Sequence, residues 1–314
     1  MTKGERMRVV FMGTPSFAVP ALKKLAAAHE VVLVLTRPDA VRSRGKRLEP
    51  SPVKSCALEL GLPVLEAKRM TDEVLDALRG ANADVFCVAA YGCILPDEVL
   101  TMAPLGCMNV HASLLPRWRG AAPIQRCILA GDDETGVSIM RIGHGVDTGA
   151  FCAQASCTVA GKTADELTAE LAELGGDLLV DTLPALADGT AVWTEQDESL
   201  VTHAAKIEKS EMRLDAADSV TDNLRRVLAS SDAAPARCVV AGKPVRVLMA
   251  ADGRPDAPRV EEGSFTVASK RVFIGCSDGA LEILSVKPDG KRAMDAQAWA
   301  AGLQGKQGAW ETLS

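Results

Sequence analysis

The sequence predicts an α/β protein of two domains, a doubly wound, Rossmann-like domain followed by a small all-β domain. In the first half, short and almost wholly apolar segments alternate with segments of helical spacing. This alternation is typical of a parallel sheet covered by helices on both faces. After about residue 190, short Val- and Ile-rich segments separated by glycine turns take over. That second pattern indicates a sandwich or small barrel.

Individual elements support this division. The first-half strands are expected in apolar runs at 8–12, 31–35, 84–90 and 106–110. Ser51 followed by Pro52 predicts a helix start, with serine as the N-cap and proline at the first helical position. A further helix is expected at 219–229, followed by five short strands between residues 238 and 284. We therefore expect an α/β domain at 1–192, a linker at 193–210 and a β-domain at 211–314.

Composition narrows the class of protein. The chain has 314 residues, of which 47% are hydrophobic and 24% charged, as in soluble globular proteins. No apolar run approaches the roughly 20 residues that span a bilayer, and the N-terminus lacks the apolar stretch of a signal peptide. The nine cysteines form no C-x-x-C pair. These features predict a cytoplasmic protein with free thiols, without a metal site and without membrane attachment.

Several common catalytic signatures are missing from the sequence. There is no G-x-G-x-x-G for a dinucleotide and no G-x-x-x-x-G-K-[ST] for a nucleoside triphosphate. The sequence also lacks H-E-x-x-H and G-x-S-x-G. These absences argue against a dinucleotide enzyme, a zinc peptidase and a serine hydrolase.

Charge is unevenly distributed along the chain. The net charge is −6, yet the segment from Arg37 to Lys54 holds six Lys or Arg residues and two acidic ones. Such a local basic excess favours contact with a polyanion, since the distribution of charge matters more than its total. A solvated, charged surface loop is the alternative interpretation.

Two segments carry side chains suited to catalysis. Asn109 and His111 are two residues apart at the end of a predicted strand, so both project from the same face. In a doubly wound sheet, ligands lie beyond the carboxyl ends of the strands. Asp147 stands between Gly145 and Gly149 in a loop, where glycine allows the backbone to approach a ligand closely. Spacing alone equally allows polar backbone caps at the strand end and a plain Asx turn around Asp147.

The segment 109–124, Asn-Val-His-Ala-Ser-Leu-Leu-Pro-Arg-Trp-Arg-Gly-Ala-Ala-Pro-Ile, resembles the signature of folate-dependent formyltransferases. Asp147-Thr148-Gly149 resembles the second motif of that family. Other stretches are similar to the family members that act on initiator tRNA, and they lie at 13–18, 44–48, 50–54, 89–92, 206–209 and 290–294. The resemblance extends over nearly the whole chain.

The resemblance implies specific roles. It places Asn109, His111 and Asp147 as catalytic residues, and Ser113, Leu114, Leu115 and Pro116 in the folate pocket. Arg42, Arg44, Lys46 and Arg47 would belong to a loop that contacts the tRNA acceptor end, and the C-terminal domain would be an OB-like barrel that binds tRNA. The expected substrates are 10-formyltetrahydrofolate and initiator methionyl-tRNA, with no metal, and the expected state is a monomer.

The family resemblance leaves two other functions open. The first is formyl transfer to a small amine, such as an amino sugar nucleotide or glycinamide ribotide. The same catalytic core would serve, but the basic loop and the C-terminal domain would lack an obvious purpose. The second is RNA binding by a protein whose catalytic core is silent, which the presence of Asn109, His111 and Asp147 argues against.

Overall fold

The computed structural model describes residues 6–41, 48–255, 257–303 and 305–313. The chain divides into two compact units. The first is drawn from Met1–Pro123, Glu134–Thr158 and Thr168–Ala204, and the second from Ile124–Asp133, Val159–Leu167 and Ala205–Ser314. No helix within the described ranges is long and apolar enough to span a membrane.

The helices follow the predicted alternation in the first half of the chain. In chain order they are α1 (Val19–Ala28), α2 (Pro52–Glu59), α3 (Asp72–Gly80), α4 (Asp97–Leu100), α5 (Pro123–Ala130), α6 (Ala164–Ala187), α7 (Val220–Leu228) and α8 (Ala296–Ala301). The predicted cap of α2 is confirmed, because the Ser51 hydroxyl accepts a hydrogen bond from the Lys54 N–H. Ser219 caps α7 in the same way through the Asp222 N–H.

Eleven strands of the described chain belong to the first unit. They are β1 (Arg8–Gly13), β2 (Glu30–Thr36), β3 (Ala40–Val41), β4 (Leu48–Glu49), β5 (Val64–Glu66), β6 (Val85–Ala89), β7 (Cys107–His111), β8 (Arg119–Gly120), β9 (Glu134–Arg141), β10 (Phe151–Thr158) and β11 (His203–Ala204). Seven of them form one sheet in the order β10-β9-β7-β6-β1-β2-β5. The strand order reverses between β1 and β6, as in a doubly wound fold.

The sheet is parallel over five strands and antiparallel at one edge. The neighbours β5, β2, β1, β6 and β7 all run in the same direction, which confirms the Rossmann-like prediction. The strands β9 and β10 extend the sheet in antiparallel orientation. The sequence did not reveal β9 as a strand, because Gly136 and Ser138 interrupt its apolar run.

Hydrophobic side chains cover both faces of this sheet. Along β1, Val9 and Phe11 pack in one core, whereas Val10 and Met12 pack in the other. Successive residues of a strand point to opposite faces, so a strand buried on both faces must be apolar throughout. This is why the first-half strands appear in the sequence as uninterrupted apolar runs.

The second unit contains a closed antiparallel barrel. Its strands are β12 (Arg237–Val240), β13 (Lys243–Asp252), β14 (Ser264–Ala268), β15 (Arg271–Cys276), β16 (Gly279–Pro288), β17 (Met294–Asp295) and β18 (Gln307–Glu311). Six strands close in the order β13-β12-β18-β14-β15-β16 and back to β13, while β17 adds to β16. Phe265, Ile274 and Trp310 lie in its core. The predicted small C-terminal β-barrel is confirmed.

The segment predicted as a linker adds structure to the first unit. Thr194 forms an isolated bridge with Phe151, and β11 pairs in parallel with β8. The stretch Thr168–Ala204 belongs to the first unit, and the last stretch of the second unit begins at Ala205. The exact boundaries of the two domains stay a prediction.

Candidate active site

Asn109 and His111 lie at the carboxyl end of β7. They follow Cys107 on the sheet face that carries the core of Phe86, Val88 and Val10. Burial raises the pKa of the Cys107 thiol to about 12, so this thiol stays protonated at neutral pH and offers no nucleophile. Polar side chains thus replace apolar ones at the strand end where the fold places ligands.

Asn109 offers the site a side-chain amide whose hydrogen-bonding groups are not used by the described chain. Its side chain is partly exposed, and the amide forms no hydrogen bond with another residue of the described chain. A side-chain amide carries two N–H donors and a carbonyl acceptor. Both donors are therefore available to a ligand.

His111 bridges two acceptor oxygens. It is 5% exposed, and its Nε2 lies 3.0 Å from the carbonyl oxygen of Trp118. Because a carbonyl can only accept, Nε2 carries the proton and donates it. The other ring nitrogen, Nδ1, lies 3.5 Å from Oδ2 of Asp147. The imidazole is therefore held between a backbone carbonyl and a carboxylate.

Asp147 occupies the loop between β9 and β10. Its φ of +54° lies in the left-handed region, which aspartate tolerates better than most residues. Its Oδ2 also accepts a hydrogen bond of 3.0 Å from the Gly120 N–H. The structure therefore brings the imidazole and the carboxylate into contact, with the amide two residues earlier on the same strand face.

Gly120 reaches the carboxylate because it has no side chain. Its φ is +125°, and a Cβ at this position would lie 2.8 Å from the carbonyl oxygen of Ala204. A larger residue would push β8 away from β11, and the Gly120 N–H would move with it. The glycine of the signature segment thus serves close backbone packing beside the site.

Hydrogen bonds to neighbouring strands and within the turn itself hold the turn Ser113–Pro116 in place. The buried Ser138 hydroxyl donates to the Ser113 carbonyl at 2.7 Å and accepts from the Leu115 N–H at 3.1 Å. The Ser113 hydroxyl donates to the Arg117 carbonyl at 2.6 Å, and the Leu115 carbonyl accepts from the Gln154 amide at 3.0 Å. Ser113 and Leu115 are buried, so Leu114 and Pro116 supply the partly exposed surface of the turn.

Three polar residues beside the site had no predicted role. Arg119 is 5% exposed, and its Nε donates to Gln196 Oε1 at 2.8 Å. Gln196 donates in turn to the carbonyls of Asp147 and Gly149. Thr202 accepts from the Trp118 N–H at 2.9 Å. Arg119 stands inside the signature segment, whereas Gln196 and Thr202 lie in the predicted linker, where no local pattern marks them.

The four predicted tRNA-contacting residues Arg42, Arg44, Lys46 and Arg47 lie outside the described residues. The flanking strands β3 and β4 pair with each other in antiparallel register. Within the described ranges, no group of three or more His, Cys, Asp or Glu side chains could hold a metal ion.

Family models and a curated relative match this chain over most of its length. A model described as formyl transferase matches residues 7–183, and one described as formyl transferase, C-terminal domain, matches residues 206–304. A protein from Methylococcus capsulatus named methionyl-tRNA formyltransferase is 46% identical over 308 residues, which is 96% of this chain and 99% of that protein.

Solved structures share the fold at lower identity. HypX from Aquifex aeolicus in complex with tetrahydrofolic acid is 18% identical with a TM-score of 0.66, and the match covers 94% of this chain but only 47% of that one. An N-formyltransferase from Helicobacter canadensis in complex with folinic acid and dTDP-3-aminofucose is 15% identical with a TM-score of 0.63, covering 88% and 98% of the two chains. With both domain models and the 46% identical relative in agreement, the chain belongs to the formyl transferase family.

Proposed function

We propose that the protein transfers the formyl group of 10-formyltetrahydrofolate to the amino group of initiator methionyl-tRNA. The observation that carries this proposal is the cluster of amide, imidazole and carboxylate formed by Asn109, His111 and Asp147 in the first unit. The tRNA substrate is supported by the 46% identical relative, which matches this chain along almost its entire length.

The chemistry needs this set of groups. The amine nitrogen attacks the formyl carbon and forms a new C–N bond, and the formyl oxygen becomes an oxyanion. The free N–H donors of Asn109 stabilise that oxyanion. The imidazole of His111, whose Nε2 donates to Trp118 and whose Nδ1 faces Asp147, acts on it through the positive charge that the ring carries when protonated. The bond from the formyl carbon to the folate nitrogen then breaks, so the oxyanion returns to a carbonyl.

Protons must also move in this reaction. The attacking amine loses a proton and the departing folate nitrogen gains one, so the transfer is balanced. Asp147 accepts the proton of the amine, directly or through a water molecule, and orients His111 through the 3.5 Å contact. The Gly120 N–H holds the carboxylate during this step.

Further parts of the chain serve binding in this proposal. The turn Ser113–Pro116 contributes to the folate pocket through the partly exposed Leu114 and Pro116. The basic residues Arg42, Arg44, Lys46 and Arg47 contact the tRNA acceptor end, and the C-terminal barrel binds tRNA. The protein acts as a monomer, which light scattering of the purified chain tests.

Purified protein supplied with 10-formyltetrahydrofolate and charged initiator tRNA should produce formylmethionyl-tRNA. Parallel reactions with an amino sugar nucleotide and with glycinamide ribotide define the alternatives. Formylation of a small amine without formylation of methionyl-tRNA would overturn the proposal. Tight tRNA binding with no turnover at any folate concentration would also overturn it, in favour of an RNA-binding protein with a silent core.

Replacing Arg42, Arg44, Lys46 and Arg47 by serine tests the tRNA contact. Each lost phosphate contact should reduce the dependence of log kcat/KM on log salt by about one. The KM for 10-formyltetrahydrofolate serves as the internal control and should not change. An unaltered salt dependence with tRNA would contradict the assignment of these residues.

A further inference from the structure

We propose that Gln196 is a positioning residue of the formyl transfer site, which holds the Asp147 loop so that the carboxylate faces His111. This proposal rests on the proposed function and extends it to a part of the chain outside both family motifs. Gln196 is 9% exposed and stands 49 residues after Asp147 in the sequence.

The contacts of Gln196 allow only one orientation of its amide. Oε1 accepts from Nε of Arg119 at 2.8 Å, and an arginine can only donate. Nε2 donates to the Asp147 carbonyl at 2.8 Å and to the Gly149 carbonyl at 2.7 Å, and a carbonyl can only accept. The position therefore requires one acceptor and two donors on one planar group, which a glutamine amide supplies and a carboxylate does not.

The backbone held by these bonds is the one that aims the carboxylate. Asp147 has a φ of +54°, a region that costs conformational energy for residues with a side chain. Gln196 fixes the carbonyl of this same residue and that of Gly149, two positions later. The side chain of Asp147 then meets the Gly120 N–H and His111.

Arg119 anchors Gln196 from the other side. Its guanidinium is buried and binds the Glu198 carboxylate through two hydrogen bonds, at 2.9 and 3.3 Å. This paired hydrogen bond to Arg119 holds the pKa of the Glu198 carboxyl below its usual range. A buried guanidinium with fixed partners gives the glutamine a rigid support.

The same stretch of chain also supports His111. Thr202 accepts from the Trp118 N–H through its hydroxyl and from the Arg119 N–H through its carbonyl, at 2.9 Å each. The Trp118 carbonyl is the acceptor for His111 Nε2. Residues 196–202 thus hold both groups that the His111 imidazole contacts. Thr202 holds the Trp118 peptide, and Gln196 holds the loop that carries the Asp147 carboxylate.

Gln196→Glu is the decisive variant. The glutamate still accepts from Arg119 but cannot donate to the two carbonyls, so the support of Arg119 is kept and that of the loop is lost. We expect kcat to fall about 10- to 100-fold, as for a displacement of about 1 Å at a reacting group. The KM values for folate and tRNA should change less than about threefold. Gln196→Ala should show at least the same loss of kcat.

Glu195→Ala is the matched control, because Glu195 is the preceding residue and is exposed. It should retain the kcat of the wild type. If Gln196→Glu also retains it, with the same thermal midpoint, Gln196 serves only to satisfy Arg119 and the proposal is overturned.

A second measurement needs no substrate. In protein labelled with ¹⁵N-histidine, the His111 ring signals are identified by their loss in His111→Asn. They should move in the same direction in Gln196→Glu as in Asp147→Asn, and stay unchanged in Glu195→Ala. Unmoved signals in Gln196→Glu would refute the positioning role. If the wild type fails to formylate methionyl-tRNA, the proposed function falls, and this measurement still decides the role of Gln196.

Discussion

Two halves of the signature segment use their polar groups in opposite ways. In the turn Ser113–Pro116, hydroxyl, N–H and carbonyl groups are engaged by Ser138, Gln154 and the turn itself. A few residues earlier, the amide of Asn109 has no partner in the described chain, and the His111 imidazole is held between the Trp118 carbonyl at 3.0 Å and the Asp147 carboxylate at 3.5 Å. Groups already engaged in hydrogen bonds give shape, whereas uncommitted donors are free to act on a substrate.

The largest expected effect is at Asp147. Asp147→Asn keeps an acceptor for the Gly120 N–H and tolerates the left-handed backbone, so it removes little beyond the negative charge. We expect kcat/KM for formylation to fall about 10²- to 10⁴-fold, as for loss of a general base. The thermal midpoint should stay near that of the wild type. A variant with more than a tenth of wild-type activity would remove Asp147 from the reaction.

Replacing Asn109 should have a somewhat smaller effect on the rate of formylation. Asn109→Ala removes the free N–H donors and should lower kcat about 10²- to 10³-fold, because one lost oxyanion donor typically has this effect. Stability should change little, since no hydrogen bond within the described chain is broken. Folate affinity, followed by fluorescence, should stay close to that of the wild type. A large loss of stability with normal kcat would place Asn109 among the structural groups instead.

Replacing Ser138 should lower stability more than catalysis, and it should give the smallest loss of kcat of these variants. Ser138→Ala leaves the buried Ser113 carbonyl and the Leu115 N–H without their partner, so the free energy of unfolding should fall by about 1–3 kcal/mol. The KM for folate should rise more than kcat falls. The control is Ser156→Ala on the exposed side of β10. If denaturant unfolding shows equal stability for both variants, the turn does not depend on Ser138.

The sequence predicted the shared strand face of Asn109 and His111 better than the surroundings of these residues. Asn109 and His111 stand two residues apart at a strand end, and this spacing alone places them on one face. The internal engagement of Ser113 and Leu115 was not visible in the sequence, since it depends on Ser138 of β9, a strand whose apolar run is broken. The same residue types can form a turn that lines a ligand pocket and a turn whose polar groups are bonded inside the protein, so the sequence does not distinguish the two.

The predicted linker contains a second feature that the sequence did not predict. Residues 193–210 read as a polar connector, yet Gln196 and Thr202 hold the loop and the peptide that face His111. Their contacts join residues 49 and 84 positions apart. No periodicity in a sequence reports a contact at that separation, because only the folded chain brings the two segments together.

The sequence by itself determined the two kinds of architecture and the residue types that stand at the candidate site. Burial on one or both faces leaves a local, periodic record in the order of apolar and polar residues. Only the tertiary structure decided that Asp147 meets His111, that Gly120 lies close enough to donate to the carboxylate, and that Gln196 binds the backbone carbonyl of Asp147. A hydrogen bond forms only when its donor and acceptor lie within a few tenths of an ångström of their preferred separation. Between segments far apart in the sequence, the packing of the folded chain sets that separation.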